Sequence, residues 1–295
     1  MFDFDNKSCM LCPRRCGGDR TKSSGVCRSP DKIMLGRAAL HFYEEPCISG
    51  TRGSGAIFFS GCPLRCSYCQ NGDLSKAVVG KTVSDERFRE ICFSLKAKGA
   101  HNINLVTPMH YAPYVRDALA PILDELSLPI IVNTGGYDSS EQIECFDKIA
   151  DVYLPDYKYS SSGSAAKYSS APDYPKIALE AIEKMIAQVG DVVLGEDGMI
   201  RSGVIVRHLV LPGARKESIC ALDMLASALG TKGFYLSLMS QYTPQGVDGT
   251  PDRRLTTYEY ETVREHALAL GFDGFSQEKS SAKAEYTPDF DLTGV

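Results

Sequence analysis

Three closely spaced cysteines are the residues in this sequence best suited to carry chemistry. Cys62, Cys66 and Cys69 form a CxxxCxxC pattern within the run GCPLRCSYC. A closed zinc site needs four ligands in a tetrahedral shell, and no fourth Cys or His lies nearby in the sequence. Three thiolates at this spacing instead favour a four-iron, four-sulfur cluster that has one iron without a protein ligand.

An iron that the protein leaves open can take a ligand from outside. The amine and carboxylate of S-adenosylmethionine can chelate such an iron, and a reduced cluster can pass one electron to the sulfonium. Homolysis would then give a 5′-deoxyadenosyl radical that abstracts hydrogen from a substrate. The spacing of the three cysteines therefore predicts radical chemistry.

A second cysteine group lies at the amino terminus. Its members are Cys9, Cys12, Cys16 and Cys27. Four thiolates suit either zinc or an auxiliary iron-sulfur cluster. The spacing differs from the CxxCxxCxxxC run of ferredoxins and so favours zinc or another structural role.

The other four cysteines carry weaker signals. Cys47 is interpreted as a lone thiol near the active site. Three cysteines lie in segments of helical periodicity, where buried packing is expected: Cys92, Cys145 and Cys220.

Composition excludes several classes of protein. The 295 residues carry a formal charge of −5 and no run rich in Lys or Arg, which disfavours nucleic acid as a partner. The sequence shows neither the apolar core of a signal peptide nor a continuous apolar stretch of membrane-spanning length. We therefore expect a soluble cytoplasmic protein. Because the cytoplasm is reducing, its eleven cysteines indicate metal binding, catalysis or packing and not disulfides.

The sequence after residue 50 alternates β-rich runs with helical segments, as in repeated βα units around a parallel sheet. Strands are predicted at 56–60, 103–107, 130–133, 151–155, 203–210 and 234–240. Six such units form either a partial barrel or an open doubly wound sheet, and periodicity does not separate the two. A hairpin is predicted around Gly195 and Gly198, a small-residue loop at 160–170, and a polar tail from Gln277.

The CxxxCxxC motif, with Tyr68 as the aromatic residue before the last cysteine, resembles the signature of the radical S-adenosylmethionine (SAM) superfamily. The runs at 44–55 and 58–71 and the N-terminal CxxCPRxC are similar to relatives of pyruvate formate-lyase activating enzyme. This resemblance implies an α/β fold, a partial (β/α)6 barrel of radical SAM type with a Cys-rich N-terminal extension. The implied domains are the metal-binding extension at 1–50, the barrel at 51–276 and a C-terminal tail at 277–295.

The resemblance also implies contacts to the cofactor. Tyr68 would lie near the adenine, and Asp156 and Lys158 resemble a DxK element that reaches the methionine end. The alternative for this pair is a strand-end ion pair that faces solvent. Arg207 and His208 resemble a basic position near the cofactor, and only one of the two can face inward because neighbours on a strand point to opposite faces.

The Gly-Gly-Glu motif expected after the second strand is missing, and Thr107 to His110 stands in its place. Thr107 could accept a hydrogen bond from the cofactor, whereas His110 is either a carboxylate-binding or acidic group or a surface residue. Asn133 and Thr134 either line the cofactor site or belong to a simple strand-to-helix turn. Three residues after the last strand are candidates for the substrate side: Ser240, Gln241 and Tyr242.

Three functions remain open from the sequence. The first is a radical enzyme that installs a glycyl radical on a partner protein and receives electrons from a flavodoxin or a ferredoxin-type donor, as the resemblance implies. The second is a radical enzyme that modifies a peptide, a nucleoside or a small metabolite. The third is a non-catalytic protein with two zinc sites.

Overall fold

A single ten-stranded sheet organises the chain, and the computed structural model describes residues 5–277 and 288–295. The strands are β1 (Met34–His41), β2 (Ser54–Phe59), β3 (Lys81–Thr82), β4 (Ile103–Val106), β5 (Ile130–Thr134), β6 (Val152–Pro155), β7 (Val193–Leu194), β8 (Ile200–Leu209), β9 (Tyr235–Met239) and β10 (Gly274–Ser276). The α-helices are α1 (Pro46–Ser49), α2 (Gly72–Ser75), α3 (Asp85–Ala97), α4 (Ala112–Leu119), α5 (Leu123–Leu126), α6 (Ser140–Glu144), α7 (Ser162–Ser169), α8 (Tyr174–Val189), α9 (Arg215–Leu229) and α10 (Thr257–Leu270). Short 3-10 helices add Arg20–Lys22, Met109–Tyr111 and Ala120–Ile122.

The sheet is open, and its strands follow the order β10-β9-β8-β6-β5-β4-β2-β1-β3, with β7 paired to β8 off this path. The six predicted strands are confirmed as β2, β4, β5, β6, β8 and β9, and neighbouring members of this series pair in parallel. β10 extends the parallel series at one edge, while β1 pairs antiparallel with β2 at the other. Parallel strands joined by helices bring their carboxyl ends to one edge of the sheet, which is where such folds place functional loops.

Burial explains why these runs form the sheet. All six residues of β2 and all four of β4 and β6 are buried, as expected for parallel strands covered on both faces. Helix α3 shows the matching pattern on the outer layer: Ser84 caps its first turn, and Phe88, Ile91 and Leu95 bury one face at helical spacing. The sequence patterns of both element types therefore agree with the packing.

Two local expectations are wrong. The segment 160–170 contains helix α7 instead of a loop, because the side chain of Ser161 accepts a hydrogen bond from the backbone N–H of Ser164 and so caps the helix. Its small residues allow this helix to pack closely, with Ala165 buried. Cys220 is exposed on α9, whereas Cys92 and Cys145 are buried as expected. The predicted hairpin is confirmed, since β7 pairs antiparallel with β8.

The last eight residues pack against strand β1. The Ala38 N–H donates to the carbonyl of Thr293, and the Leu292 N–H donates to that of Gly36. Phe290 meets Phe58 edge to face at 5.6 Å between ring centroids. The first part of the predicted tail, 278–287, lies outside the described residues. None of the helices in the described ranges is both long and apolar enough to cross a membrane.

Candidate active site

A cavity of about 240 Å³ lies at the carboxyl ends of the parallel strands. Six strand ends contribute to its wall, through Cys62, Thr107, Asn133, Asp156, Arg207 and Met239 among others. The three central cysteines, Tyr68, Thr134, Lys158 and Gln241 also line it. The fold therefore collects most of the residues that the sequence singled out around one space.

The loop after β2 places the thiols of Cys62, Cys66 and Cys69 on one side of this cavity. The loop turns tightly, because Arg65 adopts a positive φ of 49° and the Cys69 N–H donates to the carbonyl of Cys66 at 3.1 Å. Burial, together with the neighbouring Cys66, raises the pKa of Cys62 to about 12 and that of Cys69 to about 11. Thiols in this state lose their protons when a metal binds them.

Glycine is required where the loop leaves β2. Gly61 has a φ of 90°, and a Cβ at this position would lie 2.4 Å from Ser29 Oγ and 2.7 Å from the carbonyl oxygen of Cys27. Only glycine fits this close approach. The loop that carries Cys62 therefore packs directly on the amino-terminal segment.

A chain of hydroxyl groups reaches the sulfur of Cys66. Ser169 Oγ lies 3.0 Å from Cys66 Sγ and 2.7 Å from the hydroxyl of Tyr159, which in turn lies 2.9 Å from the hydroxyl of Tyr68. Hydrogen bonds to ligand sulfurs tune the reduction potential of iron-sulfur centres. Ser169 belongs to α7 and was not singled out in the sequence, because the segment reads as a loop.

Asp156 and Lys158 follow β6 and form a direct ion pair at the cavity wall. Burial works against the ammonium of Lys158, but Asp156 and Cys66 together hold its pKa above the usual value. The pair is shielded, with 23% and 18% of the two side chains exposed, so the alternative of a solvent-facing ion pair does not hold. Gly136 allows the loop after β5 to lie close to the end of β6, since a Cβ there would lie 2.1 Å from the carbonyl oxygen of Asp156.

Arg207 faces the cavity and His208 does not. The guanidinium donates to Glu45 Oε1 at 2.9 Å and to Glu44 Oε2 at 2.6 Å. Burial works against the carboxylate of Glu45, yet Arg207 lowers its pKa below the usual value. His208 is buried behind the strand, where its Nδ1 lies 2.6 Å from the carbonyl oxygen of Tyr157. Alternation along β8 thus settles which of the two basic residues points inward.

Strained backbone occurs where the expected Gly-Gly-Glu motif is missing. Thr107 has a φ of 62°, which is unusual for a β-branched residue. It lines the cavity, and its backbone N–H donates to the carbonyl of Asn133 at 2.7 Å. Strain of this kind clusters at ligand sites, and the hydrogen bond to Asn133 holds Thr107 in this conformation.

Asp138 is a buried carboxyl group next to Thr134, which lines the cavity. The hydroxyl of Thr134 donates to its Oδ2 at 2.5 Å, and burial raises the pKa of Asp138 from 3.8 to about 7. Because folding raises this pKa, the folded state favours the protonated acid. The penalty for burying the ionised form is absent below the unfolded value of 3.8 and complete above about 7, so stability falls as pH rises through that window.

We therefore expect Asp138→Asn to stabilise the protein at about pH 8, on the order of 1–4 kcal/mol, and to have little effect near pH 4. Thermal unfolding followed at both pH values measures the difference. Asp248→Asn, on the exposed surface, is the control for the loss of one charge. A difference between wild type and Asp138→Asn that does not change with pH would contradict the assignment.

The four N-terminal cysteines line a second, smaller cavity together with Arg20 and His110. Burial, with a smaller contribution from the Cys27, Cys9 and Cys16 thiols, raises the pKa of Cys12 to about 12. Among the residues that the structure describes, no group of three or more His, Cys, Asp or Glu side chains is arranged to hold a metal ion. The prediction of a metal at these cysteines stays a prediction.

Several candidates lie away from the main cavity. His110 is buried against the amino-terminal segment and is not a surface residue. Ser240 and Tyr242 do not line the cavity, and the hydroxyl of Tyr242 donates to the carbonyl of Pro251 at 2.6 Å. Cys47 is buried in an apolar cluster of its own.

The sequence analysis missed other lining residues: His41, Tyr43, Glu44, Gln70, Asn71 and Pro288. The first three lie at or just after the end of β1, and the antiparallel pairing of β1 with β2 brings them to the cavity. Two consecutive glutamates before a buried helix are the signal that could have indicated a buried partner for Arg207.

Comparison with known proteins agrees with this geometry. Residues 49–153, which include all three central cysteines, match the model of a 4Fe-4S single cluster domain. An uncharacterised protein of Methanocaldococcus jannaschii is 27% identical over 281 residues, which cover 90% of this chain and 76% of that protein.

Two solved structures share the fold at low sequence identity. A radical SAM methyltransferase from Sphaerobacter thermophilus superposes with a TM-score of 0.53 at 12% identity, over 76% of this chain and 66% of that one. SuiB of Streptococcus suis, solved with its precursor peptide SuiA, gives 0.52 at 13% identity over 76% and 48%. The chain thus spans less than two thirds of the length of either solved chain.

Proposed function

We propose that the chain is a radical SAM enzyme that reductively cleaves S-adenosylmethionine. The support is its CxxxCx-aromatic-C motif, the match of residues 49–153 to a 4Fe-4S single cluster domain and the fold that it shares with a radical SAM methyltransferase. One observation carries the proposal: three thiols lie on one side of a cavity that the carboxyl ends of the parallel strands enclose. The donor set fits a 4Fe-4S cluster with an open iron, because no fourth cysteine is among the described residues that line this cavity. When bound, the cluster and the cofactor would supply one-electron cleavage of the sulfonium and a 5′-deoxyadenosyl radical.

The chain's own residues would bind and orient the cofactor. Cys62, Cys66 and Cys69 would hold the cluster, and the ring of Tyr68 would pack near the adenine. Asp156 and Lys158 present opposite charges to the amine and carboxylate of a methionine group. Thr107 and Asn133 offer polar side chains on the neighbouring strand ends.

Arg207 would balance the negative charges of two neighbouring carboxylates and would not be a free cation for the cofactor. The buried carboxylate of Glu45 and the half-buried carboxylate of Glu44 already neutralise its guanidinium. The amide of Asn104 donates to Glu44 Oε1 at 3.0 Å and holds that carboxylate in place. Arg207 therefore contributes a neutralised, polar part of the cavity wall.

For the substrate we propose a glycine residue of a partner protein, from which hydrogen would be abstracted. The support is the resemblance of the runs at 44–55 and 58–71 to activating enzymes of glycyl-radical proteins. We further propose a flavodoxin or a ferredoxin-type protein as the electron donor. An intracellular setting is part of this proposal, because such donors and free thiols belong to reducing compartments.

The test of the reaction is anaerobic reconstitution with iron and sulfide, followed by reduction in the presence of S-adenosylmethionine. We expect 5′-deoxyadenosine to form, as measured by liquid chromatography. Protein that binds zinc alone and forms no 5′-deoxyadenosine would favour a non-catalytic zinc protein instead.

The test of the substrate is electron paramagnetic resonance after turnover with a candidate glycyl-radical protein. A doublet that changes on deuteration of glycine supports protein activation. Deuterium transfer from a labelled peptide, nucleoside or metabolite into 5′-deoxyadenosine would assign the substrate to another class.

A further inference from the structure

Arg14 joins three separate parts of the chain through its guanidinium. Its Nε donates to the carbonyl of Pro63 at 2.9 Å, and its Nη2 donates to that of Ser169 at 2.6 Å. Its Nη1 donates to the carbonyl of Ser170. The amino-terminal segment is thereby tied both to the loop of the central cysteines and to the carboxyl end of α7.

The partners of Arg14 show what its side chain does. Within the described part of the chain, all of its hydrogen-bond acceptors are backbone carbonyls. Its guanidinium also lies over the ring of Tyr137, 5.3 Å from the centroid. A planar fork of fixed donors holds several carbonyls at once, which a flexible ammonium does not. Arg14 therefore fixes Pro63 and Ser169 relative to one another.

The two segments that Arg14 holds meet at Cys66. Ser169 Oγ lies 3.0 Å from Cys66 Sγ, and the two residues are 2% and 8% exposed. A backbone bond joins the same segments, since the Ser67 N–H donates to the carbonyl of Tyr168 at 2.8 Å. The contact between hydroxyl and sulfur is thus held by bonds on both of its sides.

The hydroxyl proton of Ser169 has one possible position when Cys66 is a ligand. A thiolate accepts hydrogen bonds and donates none, so Ser169 must donate to the sulfur. Because Ser169 has a single hydroxyl proton, its contact with the hydroxyl of Tyr159 at 2.7 Å is then a bond that the tyrosine donates. A donated bond of this kind polarises the serine hydroxyl and strengthens its bond to the sulfur.

A hydrogen bond to a ligand sulfur affects the two redox states of an iron-sulfur centre unequally. Reduction adds negative charge, so the bond stabilises the reduced state more than the oxidised state and raises the reduction potential. Ser169 acts from a buried position, where a hydrogen bond to a charged group is stronger than in water.

We propose that Arg14 is a positioning residue that holds Ser169 against Cys66 and thereby raises the reduction potential of the cluster at the central cysteines. The inference rests on the proposed function for the presence of that cluster. It gives the amino-terminal segment a part in the redox chemistry that is independent of what its own four cysteines bind.

The first test is a redox titration of the reconstituted full chain without S-adenosylmethionine, followed by electron paramagnetic resonance. Ser169→Ala should lower the ratio of reduced to oxidised cluster at a fixed potential roughly 3- to 10-fold, a shift of about 30–60 mV for one electron. Electron-nuclear double resonance should also show the loss of one exchangeable proton coupled to the cluster. Ser164→Ala, a partly exposed serine of the same helix, is the matched control and should change neither quantity.

The second test separates positioning from charge. Arg14→Met should lower the potential in wild type but cause no further shift in the Ser169→Ala protein, because the two residues act through one hydrogen bond. Arg15→Met removes the neighbouring charge, whose side chain is 57% exposed, and should leave the potential unchanged. If Arg14→Met does not fold, Arg14→Lys keeps the charge without the fork and should give the same pattern.

Two results would overturn the inference while the proposed function stands. One is an equal potential for wild type and Ser169→Ala. The other is an equal shift from Arg14→Met, or from Arg14→Lys in its place, with and without Ser169, which would show an effect that does not pass through the hydroxyl. Wild-type protein that assembles no 4Fe-4S cluster would overturn the proposed function and this inference together.

Discussion

Cys66→Ala is expected to abolish reductive cleavage of S-adenosylmethionine while the protein stays folded. Cys66 lies in the middle of the three-cysteine motif, 8% exposed at the cavity wall. With two thiolates left, a cluster cannot keep three of its irons bound by protein. Loss of one ligand should exceed the roughly 10- to 100-fold effect of changing an outer hydrogen-bond partner, so we expect 5′-deoxyadenosine below detection.

Cys92→Ala is the control for the loss of a buried thiol. Cys92 is fully buried on α3 and does not line the cavity. Its replacement should cost some stability through a small void, yet leave cleavage intact once the protein is folded. Cleavage retained by Cys66→Ala, at comparable iron content, would show that this cysteine is not a ligand.

The largest effect on stability is expected for Arg207→Met. The substitution leaves the buried carboxylate of Glu45 and the half-buried carboxylate of Glu44 without their common cation. Breaking a buried ion pair in this way costs about 3–5 kcal/mol. For a chain of this size the melting temperature should fall by roughly 6–20 °C, as measured by calorimetry or circular dichroism.

Two further variants separate charge from packing. Arg201→Met removes an arginine from the same strand, where the pair with Asp197 is about half exposed, and should change stability by less than about 1 kcal/mol. Adding Glu44→Gln and Glu45→Gln to Arg207→Met should restore much of the loss, because no uncompensated charge remains. Equal losses for the two arginine variants would contradict a buried charge network.

Much of the parallel sheet and of the central site could be predicted from sequence, because the signals are local. Short apolar runs predicted the six parallel strands, and the strand ends then carried Thr107, Asn133 and Asp156 to one edge. The role of the CxxxCxxC motif was predicted from the spacing of its cysteines alone. Periodicity did not separate a partial barrel from an open sheet, and only the resemblance to a known superfamily favoured the partial barrel.

What could not be predicted depends on contacts between distant parts of the chain. The partners of Arg207 lie 162 and 163 positions away, at Glu45 and Glu44. Composition alone made the segment 160–170 look like a loop, and only the tertiary structure places Ser169 against Cys66. The burial of His110 likewise depends on the amino-terminal segment that packs over it.

The central claim is that the three cysteines leave one iron open for the cofactor. The most direct measurement is electron-nuclear double resonance on the reduced, reconstituted protein, with S-adenosylmethionine labelled with ¹⁵N in its amine and ¹⁷O in its carboxylate. The account predicts coupling of both labels to the cluster, and loss of that coupling with the Cys66→Ala protein. A cluster whose spectrum is unchanged by the cofactor, or protein that assembles no cluster at all, would contradict it.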